Sequence, residues 1–284
     1  MRLFAVILCA LFVVSCAPSP QNVSFSQANQ TFLKYCQEYK YDCVLREAGN
    51  TLWIYLPLEQ ELVGIKASME GPSSSNESNA SFTVKYLESE FRERTFTIEY
   101  DIEKTFSYSK QFGYESAYTE KFQEIQNALL SIIKQSYFDV PKAEAPEFIY
   151  FVIADTKNGI ETENLLYLDD FKRAMSTPPS FTQEEYAKRY ISQLRGHQNI
   201  IADKTGAHLK VAPVTLGEFL AKQMVNRINF KYQRSMFPPS EDTKNEILEQ
   251  VKETLNAYSF DGYENVVLKD LGKGGEYSFS RSQL

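Results

Sequence analysis

Between residues 94 and 137 the apolar period of the chain changes from two to three-and-four, which excludes any fold built from one kind of element. Phe96, Ile98, Tyr100 and Ile102 alternate with Thr95, Thr97, Glu99, Asp101 and Glu103. That alternation is the pattern of a strand buried on one face. Tyr118, Phe122, Ile125, Leu129, Ile132 and the pair Ser136-Tyr137 then step by three and four, predicting a helix over 115–137. A one-faced strand and a one-faced helix must each bury that face against another layer. The expected class is therefore α+β: antiparallel strands and hairpins packed with several amphipathic helices.

The rest of the chain extends this reading. Phe32, Cys36 and Tyr39 recur at helical spacing, predicting a first helix over 26–39 with Ser24 or Ser26 as its cap. Runs at Asp42–Glu47 and Thr51–Leu58 flank Ala48-Gly49-Asn50 and read as a hairpin. Gly71 to Asn79 is a polar loop, followed by strands at Ser81–Leu87 and Arg94–Phe106. Phe148–Ile153 is a buried strand, and Asn158-Gly159 turns it back through Glu161–Leu168. Asp169-Asp170 reads as the cap of a short helix through Met175. Thr182 and Glu185 read as a capping box opening a helix through Leu194. Thr215–Tyr232 is a further helix. Pro238-Pro239-Ser240-Glu241-Asp242 starts another, with Ile247, Leu248, Val251, Leu255 and Tyr258 on its apolar face. A strand at Glu264–Leu271, a turn at Gly272-Lys273-Gly274-Gly275 and a strand at Tyr277–Phe279 close the chain.

Three of these helices exit alike. Tyr39-Lys40-Tyr41-Asp42, Tyr137-Phe138-Asp139 and Tyr258-Ser259-Phe260-Asp261 each give two aromatics and an Asp, and a candidate strand pair follows each. The expectation is a recurring helix–hairpin unit, with Asp42, Asp139 and Asp261 accepting backbone N–H bonds in the turn. Coincidence in a chain with 18 Tyr and 20 Phe is the competing explanation.

The same residues supply ample core material: 43% of the chain is hydrophobic, which excludes wholesale disorder. The net charge of −7 argues against nucleic acid, which needs a basic face.

The amino terminus sets the compartment. Arg2 is followed by the apolar run Leu3 to Val14, shorter than the ~20 residues that span a bilayer. The run ends in Val13-Val14-Ser15-Cys16. This resembles the lipobox of bacterial membrane lipoproteins: an aliphatic residue, a tolerated position, a small residue, then cysteine. The resemblance covers the first 16 residues and assigns no family to the body. It implies lipid transfer to Cys16, cleavage before it and acylation of the new amino terminus. Acyl chains contribute ~0.8 kcal/mol per buried methylene, and more than one chain is needed for stable attachment. Ala17 stands where an Asp would favour inner-membrane retention in enteric lipoproteins, so the resemblance leans to the periplasmic face of the outer membrane.

Four divisions follow: a signal at 1–15, a lipidated tether at 16–25, an N-terminal α+β module at 26–110 and a C-terminal α+β module at 115–284. The boundary is expected near 107–114, with 176–181 as the other candidate. Cys9 leaves with the signal and Cys16 carries lipid, so Cys36 and Cys43 remain in a compartment that permits disulfides. They are expected to lie close enough to bridge; the rival reading is two buried thiols acting as small apolar groups.

No catalytic, metal or cofactor constellation stands out. A nucleophile needs a base and an orienter, and the chain has two histidines, His197 and His208. His197, beside Gly196, reads as a cation at a helix end. Gly272-Lys273-Gly274-Gly275 lacks the rest of a P-loop. Trp53 and Tyr55 read as cross-strand core residues rather than a sugar platform. The expected function is a non-catalytic scaffold or partner-binding module, held at the membrane through Cys16 with a protein partner in the envelope. The alternatives are an envelope hydrolase using Asp/Glu and a solute- or glycan-binding lipoprotein.

Overall fold

A computed structural model describes residues 23–69, 80–106, 112–233 and 242–284. The lipobox with Cys16, the 71–79 loop and the Pro238-Pro239 helix start lie outside them. The fold is α+β, with helices packed on three mostly antiparallel sheets.

The central sheet has the order β1-β2-β7-β8-β9, formed by Val44–Ala48, Thr51–Leu58, Phe148–Asp155, Ile160–Tyr167 and Ile191–Gly196. β2 and β7 run parallel, and the other pairs are antiparallel. The near-continuous apolar runs of β2 and β7 follow from burial on both faces. Leu52, Ile54 and Leu56 of β2 and Ile149, Phe151 and Ile153 of β7 enter one core. There they meet Phe32 and Cys36 of α1 (Phe25–Glu38) and Phe122, Ile125, Leu129 and Ile132 of α2 (Glu120–Tyr137).

A second core lies on the other face. Phe148, Leu165 and Ile191 pack there with α5 (Leu216–Gln233) and α6 (Thr243–Ala257). Its far side is a four-stranded sheet of order β11-β10-β5-β4, from Gly275–Ser280, Asn265–Asp270, Thr95–Phe106 and Ala80–Arg92. The predicted alternation of β5 holds: Phe96, Ile98 and Tyr100 are fully buried in this core. α5 touches β4, β9, the preceding short helix α4 (Gln183–Arg189) and α6, so it is covered on several sides. At its start Gly217 lies so close to β4 that an added Cβ would stand 2.1 Å from a Phe91 ring carbon.

Both large sheets draw strands from either side of the 107–114 boundary expected from sequence. A third, two-stranded ribbon pairs β3 (Val63–Met69) with β6 (Phe112–Tyr118). It corrects the start of the predicted 115–137 helix. Thr119 caps α2 by accepting from Phe122 N at 3.1 Å, and Tyr118 belongs to the ribbon. The helix expected through Leu194 also ends early, at Arg189. Residues 191–196 pair instead with the open edge of β8, and that pairing satisfies backbone groups a helix would have used internally. Thr182 accepts from Glu185 N at 3.1 Å, but the Glu185 carboxylate turns to two guanidinium groups, so only half of the predicted capping box forms.

The helix–hairpin unit recurs as α1-β1-β2, α2-β7-β8 and α6-β10-β11, with Asp42, Asp139 and Asp261 between helix and strand each time. Two exits share one backbone device. Tyr41 N bonds Cys36 O at 2.8 Å and Lys40 N bonds Gln37 O; Phe260 N bonds Leu255 O at 3.0 Å and Ser259 N bonds Asn256 O. This is the Schellman arrangement, with Lys40 (φ 60) and Ser259 (φ 48) in the left-handed position that glycine normally fills. The spacer between the aromatics is that residue. The α2 exit lacks the spacer and the left-handed residue. Ser259→Gly is therefore expected to raise stability by about 1 kcal/mol, since a non-glycine residue pays that order of strain there. A chemical-denaturation midpoint that stays fixed or falls would contradict the strain.

Candidate functional site

Three polar constellations are built into this frame. The first is a cavity of about 420 Å3 between α2, α4, β9 and α5. Asn226, Asn229, Phe230 and Gln233 line it from α5 at spacings of three and four, one stripe of the helix. Gln126 comes from α2, Ser192 from β9, Ala187 and the cap residue Tyr190 from α4, and Tyr118 from the end of β6.

The floor of this cavity is fixed from below. Asn164 on β8 is fully buried, and its Nδ2 donates to Phe151 O and Thr162 O. Its Oδ1 accepts from the Tyr190 hydroxyl at 2.6 Å, and that hydroxyl accepts from Gln126 Nε2 at 2.8 Å. Burial holds the Tyr190 hydroxyl far above its ordinary pKa, so it stays neutral. Asn226 Nδ2 donates to the carbonyls of Ala187, Lys188 and Tyr190, fastening α5 to the end of α4. The Asn229 and Ser192 side chains make no hydrogen bond among the described residues. They and Gln126 Oε1 are left to face the cavity. Among the described residues the lining contains no ionised side chain. The nearby cation, Lys188, is paired with Glu184 at 2.8 Å and lies 5.0 Å from the Phe230 ring centroid.

The second constellation is a carboxylate–imidazole–carboxylate clamp. His208 Nδ1 lies 2.7 Å from Asp203 Oδ2, and its Nε2 lies 2.8 Å from Glu161 Oε2. Burial opposes protonation of His208, but the two acidic partners outweigh it and raise its pKa. Burial raises the Glu161 pKa against the pull of His208. Asp203 shows the opposite balance: burial would raise its pKa, yet bonds from His208, Thr205 N and Thr205 Oγ1 hold it well below the carboxylate range. The clamp fastens the 198–214 segment onto the sheet. Trp53 Nε1 donates to Ala212 O, the Tyr55 hydroxyl to Asp203 O, and Arg46 to the carbonyls of Thr205 and Gly206.

The third is a buried ionic network. Arg189 donates to Asp170 Oδ1 at 2.8 Å and to Glu185 Oε1 at 2.7 Å, and Arg227 closes on Glu185 from α5. The Tyr258 hydroxyl donates to Asp170 Oδ2 and accepts from Gln223. Burial raises the Asp170 pKa against these partners. For Glu185 burial works the same way, but the two guanidinium groups win and lower it.

Several sequence readings change here. Asp169 and Asp170 are not caps: Tyr167 holds the cap position of α3 (Leu168–Ala174) and both acids lie in the first turn. Asp170 points inward to Arg189 and Tyr258, while Asp169 pairs with Lys142 at the surface. His197 begins a 3-10 turn rather than ending a helix, because β9 intervenes, and its Nδ1 accepts from Asn199 N at 3.0 Å. Trp53 is a core residue, stacked on Tyr150 of the neighbouring β7 with ring centroids 4.0 Å apart. Gly272-Lys273-Gly274-Gly275 is the β10–β11 turn, with Lys273 N bonded to Asp270. Cys36 and Cys43 stand as two thiols. A hydrogen bond with Cys36, then burial, pushes the Cys43 thiol upward, and both residues pack into the same core.

Sequence reasoning found neither the cavity nor the clamp. The amide stripe on α5 was the available signal: a helix carrying Asn226, Asn229 and Gln233 on one face while Phe219, Leu220, Met224 and Ile228 are buried. Comparison with protein-family models, with curated proteins and with solved structures gave no match for this chain.

Proposed function

We propose that this chain is a lipid-anchored binding module of the cell envelope that captures its partner without altering it, using the cavity between α2, β9 and α5. The carrying observation is the uncharged lining of that cavity on a hydrogen-bonded floor. Neutral amides and hydroxyls orient a ligand without supplying an acid, a base or a nucleophile. One observation favours an Asp/Glu hydrolase instead: the pKa values of Glu161 and Asp203 move apart, as in acid–base pairs. Both carboxylates, however, are bound to the same imidazole, whose two nitrogens are thereby occupied.

The anchor is proposed to be lipid on Cys16, on the Val13-Val14-Ser15-Cys16 resemblance, with the protein facing the periplasm. In that oxidising compartment Cys36 and Cys43 are proposed to bridge, supported by their packing into one core. Mass spectrometry of membrane-extracted protein is expected to find an acylated Cys16 at the amino terminus and no alkylatable thiol at Cys36 or Cys43. Cys16→Ala is expected to release the body into the soluble fraction. Full membrane retention of that variant would remove the anchor. The binding reading is tested by passing envelope extract over immobilised mature protein and an Asn229→Ala variant. Equal capture by the two would exclude the cavity as the working site.

A further inference from the structure

We infer that the ligand of this cavity is a neutral saccharide. The inference rests on the binding-module reading above and names the chemistry that the site would recognise.

Three features carry it. The first is the type of group offered. Each Asn and Gln side chain presents both a donor and an acceptor, and so does each sugar hydroxyl, so amides and vicinal hydroxyls satisfy one another in pairs. Among the described residues Asn229 and Ser192 hold this capacity unused, and Gln126 Oε1 is an unused acceptor. The second is that none of the described lining residues carries an ionised group. A phosphate or carboxylate ligand would lose its hydration here with no guanidinium or ammonium among the described lining residues, the nearby Lys188 being already paired with Glu184, and an ammonium ligand would meet no carboxylate among them. The third is the placing of aromatic rings among these amides. Tyr118 stacks on Phe122 with centroids 4.3 Å apart and stays 37% exposed, while Phe230 lines the cavity from α5. Such rings suit the apolar C–H faces of a pyranose, which carries hydroxyls on its rim and hydrocarbon on its faces.

The alternatives fit less well. An extended peptide is usually held along a strand edge by its main chain. Here the edge strand β9 contributes Ser192 alone, and α5 supplies four of the nine lining residues. A lipid tail would bury the hydrogen-bonding groups of the wall without partners. The cavity volume of about 420 Å3 falls in the range of small-ligand sites, roughly 300–1,000 Å3. The floor is also preorganised, because the Asn164–Tyr190–Gln126 chain fixes Gln126 before any ligand arrives.

The test uses the mature protein with two neutral probes, the β-1,4-linked trimer of N-acetylglucosamine and maltotriose. A hexose phosphate and trialanine serve as charged and peptide comparators. Calorimetry and the side-chain amide signals of Asn and Gln in NMR spectra are read together. Saturable binding of a neutral trisaccharide is expected, with a dissociation constant of about 0.1–1 mM. Asn229→Ala should weaken it about tenfold, the loss of one good hydrogen bond, without moving the melting temperature, because that side chain makes no hydrogen bond among the described residues. His208→Gln, remote from the cavity, should bind as the wild type does. Co-sedimentation with chitin particles separates a polymeric glycan from a free solute; either outcome keeps the saccharide assignment. Absence of saturation by both neutral probes overturns it, as does binding that Asn229→Ala leaves unchanged. If envelope capture still depends on Asn229 while no sugar binds, the ligand class falls and the binding module stands. If capture is also indifferent to Asn229, both fall. A bound trisaccharide that is cleaved would keep the ligand class and refute capture without alteration.

Discussion

Arg189→Ala is expected to cost about 3–5 kcal/mol, the largest loss of any single polar truncation in this fold. Arg189 is 8% exposed and holds two carboxylates at once, Asp170 at 2.8 Å and Glu185 at 2.7 Å, with its guanidinium over the rings of Phe181 and Tyr258. Its removal leaves Asp170, itself buried, with the Tyr258 hydroxyl and no cation in contact. Asp170 would answer by taking up a proton, since burial already raises its pKa, and this limits the loss. The melting temperature should fall by roughly 10 °C in a chain of this size. Arg189→Lys should recover little, because one ammonium cannot reach both carboxylates in the plane of a guanidinium. Arg189→Met combined with Asp170→Asn should be closer to wild type than Arg189→Ala alone, since the pair is costly to break and far less costly to replace. A loss below about 1 kcal/mol in urea unfolding of Arg189→Ala would show that the network contributes no more than a surface pair. The network joins α3, α4, α5 and the end of α6, so the walls of the cavity from α4 and α5 should loosen with it.

The second large effect is the pH dependence set by His208. The groups facing it are Asp203 on its own segment, Glu161 on β8 and the Tyr55 ring edge on β2; Arg195 and Tyr150 reach the neighbouring Glu163. Because the folded pKa of His208 is raised, its stabilisation is fully present below the unfolded value, roughly 6.5, and is lost as pH rises through the folded value. Glu161, also raised, opposes folding as it ionises, so it acts in the same direction. Asp203, depressed, stabilises above roughly 3.9 and loses that contribution as pH falls. Stability is therefore expected to peak between these limits and to decline from about pH 6.5 until His208 has titrated in the folded state. The slope should stay below the one-proton limit of about 1.4 kcal/mol per pH unit, reduced by solvent screening at a partly exposed clamp. His208→Gln should flatten the alkaline limb and cost about 2–3 kcal/mol at pH 6, the worth of the charge-assisted bonds it removes. Hydrogen exchange should localise the loss to 198–214, the segment the clamp fastens. A variant with the wild-type slope would exclude His208 as its source.

The elements with one buried face were legible in the sequence because burial imposes a period on the chain. The 96–102 alternation and the stepping of Phe122, Ile125, Leu129 and Ile132 each appear in the fold as read. At two of its three exits the recurring helix–hairpin unit was legible for a local reason: an aromatic, a spacer and a second aromatic spell out a Schellman exit. Where the local signal was weak, tertiary contacts decided. The Glu93-Arg94 turn between β4 and β5 has both residues at positive φ but carries no Gly or Asn to announce it. Residues 191–196 became a strand because β8 offered an open edge, and 112–118 because β3 did. The parallel pairing of β2 with β7, and of β5 with β10, joins segments that are distant in the chain, and no local pattern encodes which strand meets which. The candidate site belongs to this second kind. Its described side chains come from five elements between residues 118 and 233, each an ordinary residue in its own stretch, and they line one cavity only where α5 is packed between the two large sheets.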